Sequence, residues 1–122
     1  MEREEFQYRE NLKQRTRLFA LRVIKLYQSL SKTAIDQIIG KQMLRSATSV
    51  AANYRAACRA RSNADFYSKV CIVIEEADET MFWLELLWEA EIIKRELLQD
   101  LYQENEEILK IMVVSRKNSE KK

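Results

Sequence analysis

Residues 43–66 read MLRSATSVAANYRAACRARSNADF, and this stretch decides the fold. At 100° per residue, Met43, Ala47, Val50, Ala51, Tyr54 and Cys58 share one helical face. Many of them are small, so a neighbouring helix can approach closely. Gly40 lies on the same face, where close packing accounts for it at a cost of about 1 kcal/mol relative to Ala. Ser62-Asn63-Ala64-Asp65 then has the form of a capping box, with Asp in place of Glu, and opens a new helix. A long helix, a short break and a second helix start make an antiparallel helical hairpin.

Working outward, the same periodicity predicts two more helices. The first covers about residues 11–30, with Asn11 as its N-cap and Leu12, Phe19, Val23, Leu26, Tyr27 and Leu30 facing inward. Ser31-Lys32-Thr33 interrupts it, and Thr33 can cap the second helix, over about 34–60. The third runs from Ser62 to about residue 91, with Phe66, Val70, Val73, Ala77, Leu84 and Trp88 inward. Ile92 to Lys94 is read as its last turn. The fourth covers about 95–115, with Leu97, Leu98, Leu101, Ile108, Leu109 and Met112 inward. Asn105 shares that face and needs a partner there. The expected architecture is all-α, an antiparallel up-down-up-down four-helix bundle over residues 10–115. Residues 1–9 and the basic tail 116–122 are expected to be disordered.

Composition agrees. The 122 residues contain no Pro and one Gly, far too little turn punctuation for a β fold. No run approaches the length of uncharged apolar residues that a membrane span needs. The acidic start, Met-Glu-Arg-Glu-Glu, does not read as a signal peptide, so a cytoplasmic location is expected. There is no His, which excludes hydrolases built on a His base and the Glu-x-x-His pairs of bundle-core di-iron sites. Glu75, Glu76, Asp78 and Glu79 cluster on helix 3, but no matching carboxylate helix faces them. No metal, cofactor or small-molecule substrate is expected, and the chain does not read as an enzyme. Cys58 and Cys71 read as small core residues rather than as a disulfide.

Charge is divided sharply. Residues 11–64 carry eleven Lys and Arg against one acid, Asp36, whereas residues 65–114 carry thirteen acids against four bases. The formal net charge of +2 hides this split. Either the halves neutralise each other within a bundle or oligomer, or the basic half meets an anionic partner. On helix 2, Lys41, Arg45, Arg55 and Arg59 fall within about 80° of one another. That stripe is either a solvated face, paired in part with the acids of helix 3, or a phosphate-binding surface. No aromatic residue interleaves with it, so stacking on single-stranded bases gains no support. A further stripe, Gln42, Ser46, Ser49 and Asn53, is polar and small.

Helix 3 is apolar nearly all round from Met81 to Trp88, the pattern of a helix buried on more than one side. Ile72, Phe82, Trp83 and Leu86 lie off the core stripe. They are either extra core or a subunit interface, and aromatic residues favour the interface.

The segment from about Gln42 to Leu87 resembles the bacterial four-helix-bundle family of 23S rRNA-intervening sequence proteins, to which the accessory variability proteins of diversity-generating retroelements are similar. Arg45-Ser46 matches the family's Arg followed by Ser or Ala. Ser49 and Asn53 match its Ser and Asn four residues apart. Ser62 to Phe66 matches its Ser-x-x-acid-Phe helix start, and Glu79 its mid-helix Glu. The chain departs where members usually carry Glu-Gly. It has Ala56-Ala57 there, so either helix 2 runs on or the chain belongs to a distinct subgroup. The resemblance implies a cyclic homopentamer, a non-enzymatic role, and nucleic acid as the expected partner.

The leading expectation is therefore a non-catalytic oligomer that binds RNA, DNA or a nucleoprotein through the basic face. A partner could be a nucleic-acid enzyme such as a reverse transcriptase. The alternative is a protein–protein interaction module whose charge split serves self-assembly. Arg45 stands in both camps. It belongs to the basic stripe, yet with Ser46, Ser49, Asn53 and Glu79 it also belongs to a set of structural polar pairs.

Overall fold

Thr33 and Ser62 start two of the helices, each by the same device. Both are in extended conformation, and each side-chain hydroxyl accepts from the backbone N–H three residues on, that of Asp36 or Asp65. That hydrogen bond satisfies a donor that the first helical turn otherwise leaves open. The structure is a computed structural model and describes residues 2–120. The described residues form four α-helices: α1 (Glu2–Ser29), α2 (Ala34–Cys58), α3 (Asn63–Glu89) and α4 (Arg95–Glu120). Short connections make sequence neighbours antiparallel, and the result is an up-down-up-down bundle.

The core follows the predicted stripes closely. Phe19 and Val23 of α1, Met43, Ala47, Val50 and Tyr54 of α2, Val70, Val73, Ala77 and Leu84 of α3, and Leu98, Ile108 and Met112 of α4 are buried. Each of the larger ones contributes roughly 1.5–3 kcal/mol on leaving water. Several readings shift, with Leu26, Tyr27, Ala51 and Leu109 half-buried at the edge of the core. Ala57 rather than Cys58 is the buried residue near the end of α2, and Cys58 is half-buried. Trp88 is half-buried, against Tyr102 at 5.0 Å and under the Arg95 guanidinium. Leu97, expected inside, is 74% exposed, because the first turn of α4 buries Leu98 alone.

Both ends of the described residues are helical. Residues 2–9 extend α1 by two turns, so Asn11 lies inside a helix and does not cap one. Glu2, Glu4 and Glu5 suit the positive end of the helix dipole, and Arg9 pairs with Glu5 one turn away. Arg9 also lies over the Phe66 ring of α3 at 4.2 Å, which ties the extension to the bundle. Residues 116–120 continue α4. Asn63 donates to the Ser119 carbonyl at 2.8 Å, and the Tyr67 hydroxyl donates to Glu120. Met1, Lys121 and Lys122 lie outside the described residues.

α3 stops earlier than predicted. Ala90 caps it, Glu91 takes a left-handed conformation at φ 59°, and residues 92–94 belong to the connection. Ile92 N–H bonds to Leu87 O and Glu91 N–H to Trp88 O, the two reversed bonds of a Schellman motif. Glycine usually occupies that left-handed position, so the stop carried no residue signal.

Packing is broad along α1–α2, α2–α3 and α3–α4 and sparse along α1–α4. That asymmetry leaves an open seam between the first and last helices.

Candidate functional site

The stripe Lys41, Arg45, Arg55 and Arg59 divides into different settings. All four are exposed. Arg45 is engaged by α3, donating from Nη1 to Glu76 at 2.9 Å and from Nη2 to Glu79. Glu79 also accepts from the Trp83 indole at 2.9 Å. These bonds hold the Glu79 carboxyl below the usual range, the indole first and Arg45 second, and the Arg45 guanidinium is held the more firmly protonated by Glu79. The Arg45–Glu79 pair therefore forms within one chain. Next to it the Thr80 hydroxyl donates to Ser46 Oγ at 2.8 Å, and Ser46 donates to the Met43 carbonyl, all fully buried between α2 and α3. Asn53 donates to the Ser49 hydroxyl and carbonyl. The polar stripe thus braces α2 and its contact with α3.

Arg55 and Arg59 point elsewhere. With Lys13 and Arg17 of α1 they bound a furrow of about 310 Å³ whose floor is Ala51 and Ala52. Gln14 also lines it, and no acidic side chain does. Among the described residues no carboxylate forms an ion pair with Arg17, Arg55 or Arg59, whereas Lys13 pairs with Glu10 at 2.7 Å. The small floor residues let the two helices leave a channel between rows of long cations. Lys41 stands three to four turns away, about 21 Å along α2, and is not part of the furrow. Lys13 and Arg17 escaped the sequence reading because helix 1 could not be set in register against helix 2.

The basic and acidic halves are tied at one further point. Arg15 of α1 makes two hydrogen bonds to Glu104 of α4, at 2.7 and 2.8 Å, and a third to Glu107. Charge neutralisation between the basic and acidic halves is therefore local, at Arg15 and Arg45, and three of the four furrow cations keep their charge.

The α1–α4 seam is an apolar groove of about 660 Å³. Leu18, Leu21 and Ile24 line it between Arg15, Arg22 and Lys25. Leu18 and Leu21 are exposed, and periodicity could have flagged them as apolar residues off the core stripe. On α3 Phe82 is 48% exposed and meets the Trp83 ring edge-on at 4.9 Å, while Ile72, Trp83 and Leu86 are half-buried. The acidic cluster of α3 is spent in part on Arg45. Among the described residues no three His, Cys, Asp or Glu side chains gather where they could share a metal ion, and no helix is long and apolar enough to cross a membrane.

The profile of the 23S rRNA-intervening sequence proteins matches residues 10–114. The chain belongs to that family. A crystal structure of a protein of unknown function from the S23 ribosomal protein family, from Bacteroides thetaiotaomicron, is similar at 40% identity and a TM-score of 0.82. The match covers 87% of this chain and 98% of the Bacteroides one. No curated protein matches the chain. The chain carries Ala56-Ala57 inside an unbroken α2, where Arg59 caps the helix at φ −104°. The backbone there needs no glycine, and Arg59, at the end of the helix, lines the furrow.

Proposed function

We propose that this protein is a non-catalytic, oligomeric bundle of the cytoplasm that binds RNA, DNA or a nucleoprotein through the basic face of α2. The observation that carries this reading is the furrow, where Arg17, Arg55 and Arg59 converge with Lys13, which alone of the four is paired, to Glu10. Like charges held around one channel repel, and an anion relieves them. Contacts to backbone phosphate need no base recognition, so binding is weak in sequence preference and steep in salt, with about 0.7–0.9 of log–log slope per phosphate neutralised. Fluorescence anisotropy with labelled RNA and DNA across a salt series tests it. The double variant Arg55→Ala, Arg59→Ala lowers affinity for all nucleic acids alike, flattens the slope and leaves helicity unchanged. No binding at low salt by the folded oligomer rules the reading out.

Self-assembly belongs to the same proposal. Phe82 lies on one face of α3 with exposed Glu75, Asp78 and Glu89. Leu18 lies on one face of α1 with exposed Arg22 and Lys25. These two stripes are complementary in charge and both offer apolar surface, the requirement for a head-to-tail contact that closes into a ring. The resemblance implies a homopentamer for that ring, in which repetition of the furrow would strengthen modest contacts. The α1–α4 groove also supports a second reading, a protein–protein interaction module, which failure to bind nucleic acid would promote.

A further inference from the structure

We infer that the α1–α2 furrow receives the sugar–phosphate backbone of a single nucleic-acid strand, with the bases turned outward. This rests on the nucleic-acid reading above and adds which form of the polymer fits and which part of it is held.

The cations stand in two rows. Lys13 and Arg17 are one turn apart on α1, and Arg55 and Arg59 one turn apart on α2. One turn is about 6 Å of rise over four residues, the order of one phosphodiester step in an extended strand. The rows face each other across helices whose axes lie about 8–10 Å apart. The channel is therefore one strand wide. A duplex is convex and carries its phosphates on two ridges separated by grooves, the wider of which is about 12 Å. It would ride on the outer edges of α1 and α2 and leave the floor of Ala51 and Ala52 untouched.

No aromatic side chain lines the furrow. A channel for single strands that holds bases does so by stacking them on rings. Here the lining offers charge, the Gln14 amide and alanine methyl groups, which suit phosphate and sugar. The bases have nothing to stack on and face solvent.

The experiment uses the intact protein and three labelled polymers of equal length: a thymidine strand, an abasic deoxyribose-phosphate strand and a DNA duplex. The thymidine and abasic strands are expected to bind within about threefold of each other, with a salt slope of about −2 to −3 for three to four phosphates. The duplex is expected to bind about tenfold more weakly, despite its higher charge density. The second arm is Ala52→Leu, at an exposed helical position, which fills the floor and removes no charge. It is expected to weaken strand binding about tenfold at unchanged helicity, because the backbone can no longer reach the cation rows together. Tighter binding of the duplex, a loss of more than about tenfold on removing the bases, or full binding by Ala52→Leu each overturns the inference. In all three cases nucleic acid is still bound and the broader reading stands. Absence of binding to every polymer removes that reading itself.

Discussion

Arg15 of α1 grips the Glu104 carboxylate of α4 with two hydrogen bonds, from Nε at 2.7 Å and from Nη2 at 2.8 Å. The bond spans the seam where the bundle is least well packed. Paired bonds of this kind fix orientation as well as charge. The two side chains keep 34% and 20% of their exposure, so solvent screens the pair in part. Glu104→Ala is expected to cost about 1 kcal/mol in urea denaturation, less in high salt. An unchanged midpoint at low salt would show that the seam is held by other contacts.

Arg45 is expected to matter less than a buried ion pair would. Its side chain is 50% exposed, so Arg45→Ala should cost about 1 kcal/mol or less, against about 3–5 for breaking a fully buried pair. The pH dependence belongs to Glu79. Its carboxyl is held low in the folded state by Trp83 and Arg45, so the stabilisation is complete at neutral pH. It starts to fade as pH drops to about 4.3, the unfolded Glu value, and is lost through the lower folded value. Chemical denaturation of wild type and Glu79→Gln should therefore differ at pH 7 and converge in acid. A constant difference across that range would assign the effect to packing.

Much of this arrangement was legible in the sequence. Helix number, order and the Thr33 and Ser62 starts rest on short-range periodicity and capping, which a single chain displays locally. What escaped depends on relations between helices. Lys13 and Arg17 join Arg55 and Arg59 only because α1 and α2 sit in one particular register. Thr80 meets Ser46 for the same reason, and its hydroxyl in an apolar stripe was the available sign. The Glu5–Arg9 pair and the Arg9–Phe66 contact hold residues 2–9 to the bundle, relations that the sequence pattern alone does not display. Leu97 misled because an inward stripe was extended into a turn that buries only Leu98. Asn105 was expected to be paired, and its Nδ2 does donate to the Ala77 carbonyl at 2.9 Å, while its Oδ1 has no protein partner.

Two glycine substitutions should act in opposite directions. A Cβ on Gly40 would sit 2.5 Å from Leu30 Cδ1 and 3.0 Å from the Tyr27 ring. That ring is held by a 2.6 Å bond from its hydroxyl to Gln37. Gly40→Ala therefore sets overpacking of about 1–3 kcal/mol against a helix-propensity gain of about 1, for net destabilisation. Glu91→Gly removes the side chain from a left-handed residue and should stabilise by about 1 kcal/mol. Thermal melts of both variants check the signs. A Gly40→Ala protein that melts higher than wild type would mean that the Leu30 side chain and the Tyr27 ring give way there at little cost.

The last prediction concerns assembly. An isolated bundle leaves Leu18, Leu21 and Phe82 at 60%, 49% and 48% exposure, on two separate faces. A monomer has no use for apolar surface on both sides, and a head-to-tail contact covers both at once. Light scattering is expected to give a mass several times 14.5 kDa at micromolar concentration. Phe82→Glu should disrupt assembly, since it adds charge to the apolar centre of an already acidic stripe. Leu18→Glu should do the same from the other side of the contact. Mixing the two variants distinguishes a head-to-tail contact from a symmetric one. Each variant keeps one intact face, so a head-to-tail contact lets a Phe82→Glu chain present its intact α1 groove to the intact α3 stripe of a Leu18→Glu chain. The mixture should form heterodimers where each variant alone stays monomeric. A monodisperse wild-type mass near 14.5 kDa would rule out assembly altogether.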